Sequence, residues 1–244
     1  MNNNKRNSAT ARPRGKYRTK RSLTNMGIIG DTHFPFEIKG YLKFCQETFD
    51  RFNCGDITHI GDLVDNHAMS YHESDPDGMS AGDEAEQAMD SIRKWTKAFP
   101  KAKLCMGNHD ELVMRKMHTT GIPRRFFKDF ADSWGLPSGW DVAFDFVKNG
   151  VLYQHGTKAS GGFAYSARAK DNMMNTVIGH THSTAGVHHI ASKAKAIWGM
   201  GVGCGVDNSK YAMAYGKAFP KKPIIGCGVV LENGRLPLFI PMEL

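Results

Sequence analysis

The chain has 244 residues, of which 41% are hydrophobic and 23% are charged, with a formal net charge of +8. This apolar content suits one large globular domain and excludes intrinsic disorder for most of the chain. No stretch approaches the roughly 20 apolar residues that a membrane-spanning helix needs, and no apolar core of a secretion signal follows the basic N-terminus. We therefore expect a cytoplasmic protein without membrane contacts.

The excess positive charge lies at the N-terminus. Residues 1–22 contain eight Lys or Arg and no Asp or Glu, whereas the rest of the chain carries 24 basic and 24 acidic residues. Because this segment has no apolar face to bury, we predict a disordered basic tail, 1–22, followed by a single domain, 23–244. The tail either binds phosphate backbones or serves only as a solubilising leader.

Short β-type runs alternate with helical patterns from residue 26 onward. The predicted strands are Met26–Ile29, Ile57–Ile60, Lys103–Met106, Val151–Gln154 and Thr176–Ile178. The predicted helices are Tyr41–Phe52, Glu84–Phe99, Glu111–Met117 and Pro123–Ala131. The buried faces of the first two helices are predicted to carry Leu42, Cys45, Phe49, Ala88, Ile92 and Trp95. This alternation predicts an α/β fold.

The last third of the chain is richer in strand signals. Ile224–Leu231 and Leu236–Ile240 flank an Asn233-Gly234 dipeptide, which predicts a β-hairpin. The glycine-rich stretch Gly199–Gly205 is interpreted as a turn, because the helix and ribose-binding carboxylate of a dinucleotide site do not follow it. The five cysteines are odd in number and form no C-x-x-C pair, so we expect reduced, mostly buried thiols and no structural zinc site.

A polar cluster follows each of the five predicted strands. The clusters are Gly30-Asp31-Thr32-His33, Gly61-Asp62-Leu63-Val64-Asp65, Gly107-Asn108-His109-Asp110, His155-Gly156 and Gly179-His180-Thr181-His182. Ligand sites in α/β sheets assemble at the carboxyl ends of strands, and glycine lets the backbone turn sharply there. An isolated Asp or His after a strand is more often a turn residue or a helix cap, as Asp110 and Glu111 could be. Five such clusters together favour a binding site.

The polar residues in these clusters are of the types that bind divalent transition metals. Seven are candidate ligands: Asp31, His33, Asp62, Asn108, His155, His180 and His182. One tetrahedral ion needs about four ligands, so seven indicate two ions that share a bridging carboxylate. Two such ions can hold a phosphoryl group between them and generate hydroxide at neutral pH.

The motifs D-x-H, G-D-x-x-D, G-N-H-[DE], H-G and G-H-x-H, in this order from Gly30 to His182, resemble those of the calcineurin-like metallophosphoesterase superfamily. The resemblance implies a two-sheet α/β sandwich flanked by helices, with a dinuclear site. It assigns Asp31, His33, Asp62 and His182 to one ion, and Asp62, Asn108, His155 and His180 to the other, with Asp62 as the bridge. It also implies that His109 is the general acid for the leaving oxygen, or at least a donor to the phosphate, and that Asp65 orients His109.

Two departures concern the substrate. Asn66 occupies the position where the protein phosphatases of this superfamily carry a phosphate-binding arginine, which disfavours a phosphoprotein substrate. The polar stretch from Asn66 to Asp83 is either a substrate lid or an ordinary surface loop. The remaining histidines, including His59, His67 and His72, are expected at the surface or in the core.

The sequence thus predicts a metal-dependent phosphoesterase that hydrolyses phosphodiester bonds of nucleic acid or nucleotides, in which hydroxide formed at the ions attacks phosphorus. Mn²⁺ is the preferred cation, with Ni²⁺, Fe²⁺ and Zn²⁺ as alternatives, because imidazole ligands disfavour Mg²⁺. No obligate protein partner is inferred. Two alternatives stay open: a phosphomonoesterase acting on phosphoprotein or a small metabolite, and a catalytically weak metal-binding scaffold whose tail binds nucleic acid.

Overall fold

A computed structural model describes residues 24–71, 78–210 and 221–243. Within these ranges the chain forms eleven strands and five α-helices. The strands are β1 (Asn25–Ile29), β2 (Cys54–His59), β3 (Ala102–Cys105), β4 (Trp140–Ala143), β5 (Asp145–Lys148), β6 (Val151–Gln154), β7 (Asn175–Ile178), β8 (Ala185–Ala191), β9 (Ala196–Val202), β10 (Gly226–Leu231) and β11 (Leu236–Pro241). The helices are α1 (Tyr41–Arg51), α2 (Ala81–Ala98), α3 (Leu112–Thr119), α4 (Phe130–Ser133) and α5 (Ala164–Asn172). The predicted tail, 1–22, lies outside the described residues.

The strands form two sheets. The first has the order β11-β10-β1-β2-β3-β4, and its strands β1 to β4 are parallel. The second has the order β5-β6-β7-β9-β8, and its strands β6, β7 and β9 are parallel. Parallel strands end at the same edge, so the loops after β1, β2 and β3 lie together, as do those after β6 and β7. The predicted two-sheet α/β architecture is confirmed.

Apolar side chains from both sheets meet between them. The first sheet contributes Met26, Ile28 and Val230, and the second contributes Tyr153, Val177, Met200 and Val202. Strands buried in this way read as continuous apolar runs, which explains why the sequence signalled them clearly. This shared core packs the sheets face to face, so that the carboxyl edge of β1 to β3 lies next to that of β6 and β7.

Helices α1 and α2 pack on a second apolar core that includes side chains of the first sheet. The predicted faces are confirmed, with buried Cys45, Phe49, Ala88, Ile92 and Trp95 and half-buried Leu42. Helix α2 begins at Ala81, earlier than predicted, because Ser80 caps it: the Ser80 hydroxyl accepts the Asp83 N–H at 3.1 Å. Every α-helix in the described ranges falls short of the apolar length that crossing a bilayer requires.

The fully buried Tyr41 attaches α1 to the sheet next to the first polar cluster. Its hydroxyl accepts the Gly30 N–H at 3.0 Å and donates to the Gly226 carbonyl at 2.7 Å. Both hydrogen-bonding capacities of a buried hydroxyl are thus used, which avoids the cost of an unpaired polar group. The contact fixes the backbone one residue before Asp31.

The interpretation of Gly199–Gly205 as a turn is wrong for its first half. Gly199 and Gly201 lie inside β9, which is hydrogen-bonded to β7 on one side and to β8 on the other. A Cβ at Gly199 would lie 2.2 Å from the Tyr165 carbonyl oxygen of α5. Glycine is needed in this strand because α5 packs directly on its backbone.

The predicted helix Pro123–Ala131 is also wrong. The chain forms a single 3-10 turn at Arg124–Phe126, and α4 begins only at Phe130. Phe126 is 67% exposed, whereas Phe130 packs against the core of the first sheet. A short helix is marginal in water unless it buries an apolar face, and this segment has only one end on the core.

The predicted hairpin and the reduced cysteines are confirmed. Strands β10 and β11 pair antiparallel, and the turn between them contains Asn233 and Gly234 at positive φ. All five cysteines are free thiols, and four of them are buried. Burial raises the pKa of the Cys105 and Cys204 thiols above the usual range, which keeps them protonated.

Candidate metal centre

Five loops meet where the carboxyl edges of the two sheets come together. They follow β1, β2 and β3 in the first sheet and β6 and β7 in the second. Side chains join the sheets at this point; for example, His182 Nε2 lies 3.1 Å from Asp31 Oδ2, and His155 Nε2 lies 3.1 Å from Asp62 Oδ2. The fold therefore brings the five polar clusters of the sequence to one place.

The seven predicted ligands gather around two points. Among the described residues, ligand atoms lie within 4.8 Å of one another in three sets. Two consist of predicted ligands, which are Asp31, His33 and His182, and Asp62, His155 and His180. The third set joins His33 and Asp62 to His109. Asn108 joins the second set, since its Oδ1 lies 3.1 Å from His155 Nε2. Asp62 lies between the sets, because its Oδ2 is 3.6 Å from His33 Nε2 and 3.1 Å from His155 Nε2.

Two ligand atoms are buried without a hydrogen-bond partner, Asp31 Oδ1 and His33 Nε2. Leaving a buried polar atom unpaired costs roughly 1–3 kcal/mol, so such atoms need another explanation. Both belong to the same ligand set, and carboxylate and imidazole groups are typical ligands of divalent transition metals. The residues therefore fit a bound cation.

Glycines let the loops after β3 and β7 approach the carboxylates of Asp62 and Asp31. A Cβ at Gly107 would lie 2.1 Å from Asp62 Oδ1, and a Cβ at Gly179 would lie 2.1 Å from Asp31 Oδ1. The space is used by backbone donors: the His109 N–H donates to Asp62 Oδ1 at 2.8 Å, and the His180 N–H donates to Asp31 Oδ2 at 2.8 Å. These bonds orient each carboxylate and leave another oxygen for a cation.

Three of the seven ligands have left-handed backbone conformations. The φ angles are 47° at His33, 50° at Asp62 and 62° at His180. Only a few per cent of non-glycine residues adopt this region, and such residues cluster at functional sites. The surrounding hydrogen bonds impose this strain, for example the His33 N–H donating to the Asp62 carbonyl at 2.9 Å.

The buried carboxylates dominate the electrostatics of the centre. Burial by itself raises the pKa of Asp31 and Asp62, but the surrounding imidazoles, His155 foremost, together outweigh burial and hold both below the usual range. Burial lowers the pKa of His155, yet the two carboxylates raise it to about 10. Burial lowers the pKa of His180 to about 4, so this imidazole is neutral. The centre is thus anionic at its carboxylates.

His109 lies beside the two ligand sets. Its Nδ1 is 2.7 Å from the Asp65 carbonyl oxygen and 3.3 Å from Asp65 Oδ1, and its ring lies 4.5 Å from that of His33. Burial lowers its pKa, but the charges of Asp62 and Asp65 outweigh burial and raise it. With Nδ1 bonded to Asp65, Nε2 is the nitrogen that remains for a substrate.

Asp65 lies against three imidazoles, those of His33, His109 and His67. The expectation from the sequence concerns His109, but the nearer ring is His33, whose Nδ1 lies 2.5 Å from Asp65 Oδ1. The carboxylate thereby fixes the tautomer of His33 that presents Nε2 toward Asp62. Asp65 supports the candidate acid and one candidate metal ligand together.

His59 is a supporting residue that sequence reasoning left at the surface or in the core. The Gly61 N–H donates to its Nδ1 at 3.2 Å, so its Nε2 carries the proton and donates to Thr32 Oγ1 at 3.0 Å. The Thr32 hydroxyl in turn donates to the Leu63 carbonyl at 3.0 Å. Burial lowers the pKa of His59 to about 3, which keeps it neutral. It holds the loops after β1 and β2 together.

Asp110 joins the loops after β2 and β3. Its carboxylate accepts the Val64 N–H at 3.2 Å and the Gly107 N–H at 2.9 Å, and burial raises its pKa to about 7. Helix α3 begins later, at Leu112, so Asp110 is more than a helix-capping residue. Its position next to His109 in the G-N-H-D motif is the signal that could have identified it.

Asn66 supports His109 and is buried. Its Nδ2 donates to the His109 carbonyl at 3.0 Å, and its φ of 54° lies in the left-handed region that asparagine tolerates. The next two backbone N–H groups, of His67 and Ala68, donate to the Glu84 carboxylate of α2 at 2.7 and 2.9 Å. These bonds fix the chain that leaves the metal centre after Asp65.

The stretch from Asn66 to Asp83 is described only in part. Residues 72–77, which include His72, lie outside the described residues, so the choice between a lid and a surface loop stays a prediction. His67 is buried, with its Nδ1 3.8 Å from Asp65 Oδ2.

A model of the family described as calcineurin-like phosphoesterase matches residues 24–198, well over half of the chain. Among solved structures, a metallophosphoesterase from Sphaerobacter thermophilus is similar, with 14% identity, coverage of 90% of this chain and 89% of that chain, and a TM-score of 0.45. The nuclease MPE of Pseudomonas putida gives 12% identity, coverage of 87% and 86%, and a TM-score of 0.43. Vacuolar protein sorting 29 from Cryptosporidium parvum has 11% identity, with coverage of 86% of this chain and 85% of that chain and a TM-score of 0.45. No curated protein matches the chain.

The family match spans all five polar clusters, from Asp31 to His182, and therefore the whole candidate metal centre. Members of this family bind divalent metals and are usually hydrolases. By this match, the chain belongs to the calcineurin-like phosphoesterase family.

Proposed function

We propose that the protein is a dinuclear metal-dependent phosphoesterase that hydrolyses phosphodiester bonds of nucleic acids or nucleotides. The observation that carries this proposal is the pair of ligand sets connected through Asp62, with His109 beside them. Two divalent cations held in this way would neutralise phosphoryl charge and activate water. The protein residues supply the remaining steps, which are binding, orientation and proton transfer.

The proposed ligands divide between two cations. Asp31, His33, Asp62 and His182 hold one cation, and Asp62, Asn108, His155 and His180 hold the other. Four imidazoles and one carboxamide favour Mn²⁺ or another first-row cation over Mg²⁺, which prefers oxygen ligands and water. Chelation should therefore remove activity, and Mn²⁺ or Ni²⁺ should restore it better than Mg²⁺.

His109 is the proposed proton donor to the leaving oxygen. The Asp65 carbonyl oxygen accepts the Nδ1 proton of His109 at 2.7 Å, and the backbone on both sides of the ring is held by Asp62 and Asn66. A ring fixed at Nδ1 offers Nε2 to the substrate in a constant position, which is what proton transfer in the transition state requires. Asp65 is a positioning residue in this proposal.

The preference for a diester is supported by the chain itself. Asn66 is neutral, at the position where protein phosphatases carry a phosphate-binding arginine, and its Nδ2 donates to the His109 carbonyl. Without that arginine, a dianionic monoester has no cationic side chain to pair with at this position. A monoanionic diester carries less charge and needs such a partner less. The basic tail, 1–22, adds a segment that suits a phosphate backbone.

The test compares a chromogenic phosphate diester with the corresponding monoester, each with Mn²⁺ and with His109→Ala as the matched variant. We expect higher kcat/KM for the diester, and loss of that activity in the variant. Higher kcat/KM for the monoester would favour a phosphatase. Two bound metals with no turnover of either ester would favour the scaffold.

A further inference from the structure

A basic and aromatic patch joins the two chain segments that leave the metal centre after Asp65 and after His109, although the body of the protein is formally neutral. It consists of Tyr71, Arg115 and Lys116, and is called here the Tyr71 surface. Tyr71 is 56% exposed. Large aromatic side chains exposed together with cations are typical of binding surfaces.

Two cations surround the Tyr71 ring. The Arg115 guanidinium lies 5.2 Å and the Lys116 ammonium 4.2 Å from the ring centre. Lys116 Nζ also donates to the Ser70 carbonyl at 3.4 Å, which holds the two chain segments together.

Both segments of the Tyr71 surface start at the metal centre. Tyr71 follows Asp65 by six residues, and the chain between them is held by Glu84. Arg115 follows His109 by six residues and lies in the first turn of α3, which continues directly from the loop after β3. A polymer bound in the metal centre would therefore pass close to this surface.

The charged side chains of α3 and of the segment that follows it are all basic up to residue 128. Residues 112–128 contain five Lys or Arg and no Asp or Glu. Within the ranges 24–71, 78–210 and 221–243, the Arg115 guanidinium and the Lys116 ammonium contact the Tyr71 ring and the Ser70 carbonyl rather than a carboxylate.

We propose that the Tyr71 surface binds the single-stranded part of a nucleic acid substrate beside the phosphodiester that is cleaved. An unpaired base stacks on Tyr71, while Arg115 and Lys116 contact the phosphates on either side of that base. A paired base inside a duplex cannot present its face to the ring, so the surface selects single strands. This inference rests on the proposed function, since it names the form of the substrate.

The experiment measures binding of a fluorescent phosphorothioate oligothymidylate to the full-length, Mn²⁺-loaded protein by anisotropy. Tyr71→Leu keeps an apolar side chain but removes the ring, and should weaken binding about 5- to 150-fold, the usual effect of losing one stacked base. Binding of a duplex and turnover of a small chromogenic diester should stay close to those of the unmodified protein. Circular dichroism confirms folding.

The cations are tested with the double variant Arg115→Gln/Lys116→Gln. It should reduce the slope of log affinity against log salt by about 1.4, because each single-strand phosphate that is no longer neutralised lowers the slope by about 0.7. The matched control is Arg51→Gln/Lys97→Gln, which removes one Arg and one Lys as well. Arg51 ends α1 just before β2, and Lys97 lies in the last turn of α2 before β3, at the edge opposite the metal centre, so this control should leave the slope unchanged.

Three results would overturn the inference. If the unmodified protein cleaves the natural-linkage oligonucleotide and both surface variants bind it normally, the inference fails and the proposed function stands. If the unmodified protein neither binds nor cleaves oligonucleotides but hydrolyses a phosphate monoester, the proposed function fails and the inference fails with it. If the variants lose affinity for a poly-glutamate peptide and keep it for the oligonucleotide, the surface binds acidic protein.

Discussion

The two sheets contribute different chemistry to the candidate metal centre. The first sheet provides both carboxylates, the carboxamide and one imidazole, which are Asp31, Asp62, Asn108 and His33. The second sheet provides imidazoles, which are His155, His180 and His182. The loops of the first sheet are also bonded to one another, through the Thr32 and His33 N–H groups on the Asp62 carbonyl and through Asp110. The loops of the second sheet reach them through ligands, with His155 at Asp62 and His182 at Asp31.

The first sheet therefore accounts for the attraction of a cation, and the second for the choice of which cation binds. The first sheet fixes the negative charge that draws a divalent cation, and that charge is strong enough to raise the pKa of His155 to about 10. The imidazoles of the second sheet add no negative charge, but they favour transition metals over Mg²⁺ and Ca²⁺. Substitutions in the two halves should therefore have unequal effects.

The largest effect is expected for Asp62→Asn. It removes the charge of the only carboxylate placed between the two ligand sets of the described chain, so both cations should be lost. Turnover of a small diester should fall by about 10⁴-fold or more, because bound metal ions supply several kcal/mol of transition-state stabilisation. The matched change in the second sheet, His180→Gln, touches one set only and should cost less. Equal losses in the two variants would contradict the division between the sheets.

His109→Ala should have the next largest effect, a loss of roughly 10²–10⁴ in turnover. Metal content should stay normal because His109 is the proposed acid, although its ring lies close enough to His33 and Asp62 to reach a cation. The loss should shrink for substrates whose leaving group has a low pKa. Loss of metal in this variant would show that His109 is a metal ligand rather than the general acid.

Asp65→Asn should have a moderate effect of about 10- to 100-fold, as is usual for residues that orient metal ligands. Because Asp65 contacts both His33 and His109, the variant should lower metal affinity and turnover together. Asp141→Asn, which breaks an exposed ion pair with Lys103, is a suitable control and should change neither. A change in turnover with unaltered metal affinity would leave Asp65 acting through His109 alone.

The smallest effect on chemistry is expected when residues 1–22 are deleted. Turnover of a small diester should be unchanged, since all seven candidate ligands lie between Asp31 and His182. Nucleic-acid binding should weaken, and the slope of its salt dependence should flatten by about 0.9 for each duplex phosphate that the tail neutralises, with its eight charges as the ceiling. An unchanged salt slope would identify the tail as a leader only.

The meeting point of the five polar clusters could be predicted because each cluster follows a strand that is apolar enough to recognise. The supporting residues could not. His59 is the last residue of β2, and its bonds to Thr32 and Gly61 depend on how two loops pack after folding. The preference of Asp65 for His33 is likewise set by distances that spacing in the sequence does not encode.

The errors in the fold have similar causes. Glycines suggested a turn at Gly199–Gly205. Gly199 and Gly201 instead lie in β9, where the packing of α5 leaves no room for a larger side chain. A helical pattern suggested one helix over 123–131, but the core reaches only its end at Phe130. In both cases a partner distant in the sequence decided the local structure.

The number of metal ions tests the central claim most directly. Protein stripped with a chelator should be titrated with Mn²⁺, with elemental analysis of bound metal and turnover of a small diester followed in parallel. We predict two ions per chain, with turnover that appears only as the second ion binds, and weaker restoration by Mg²⁺. Full activity in metal-free protein, or saturation at a single ion, would contradict a centre in which Asp62 links two cations.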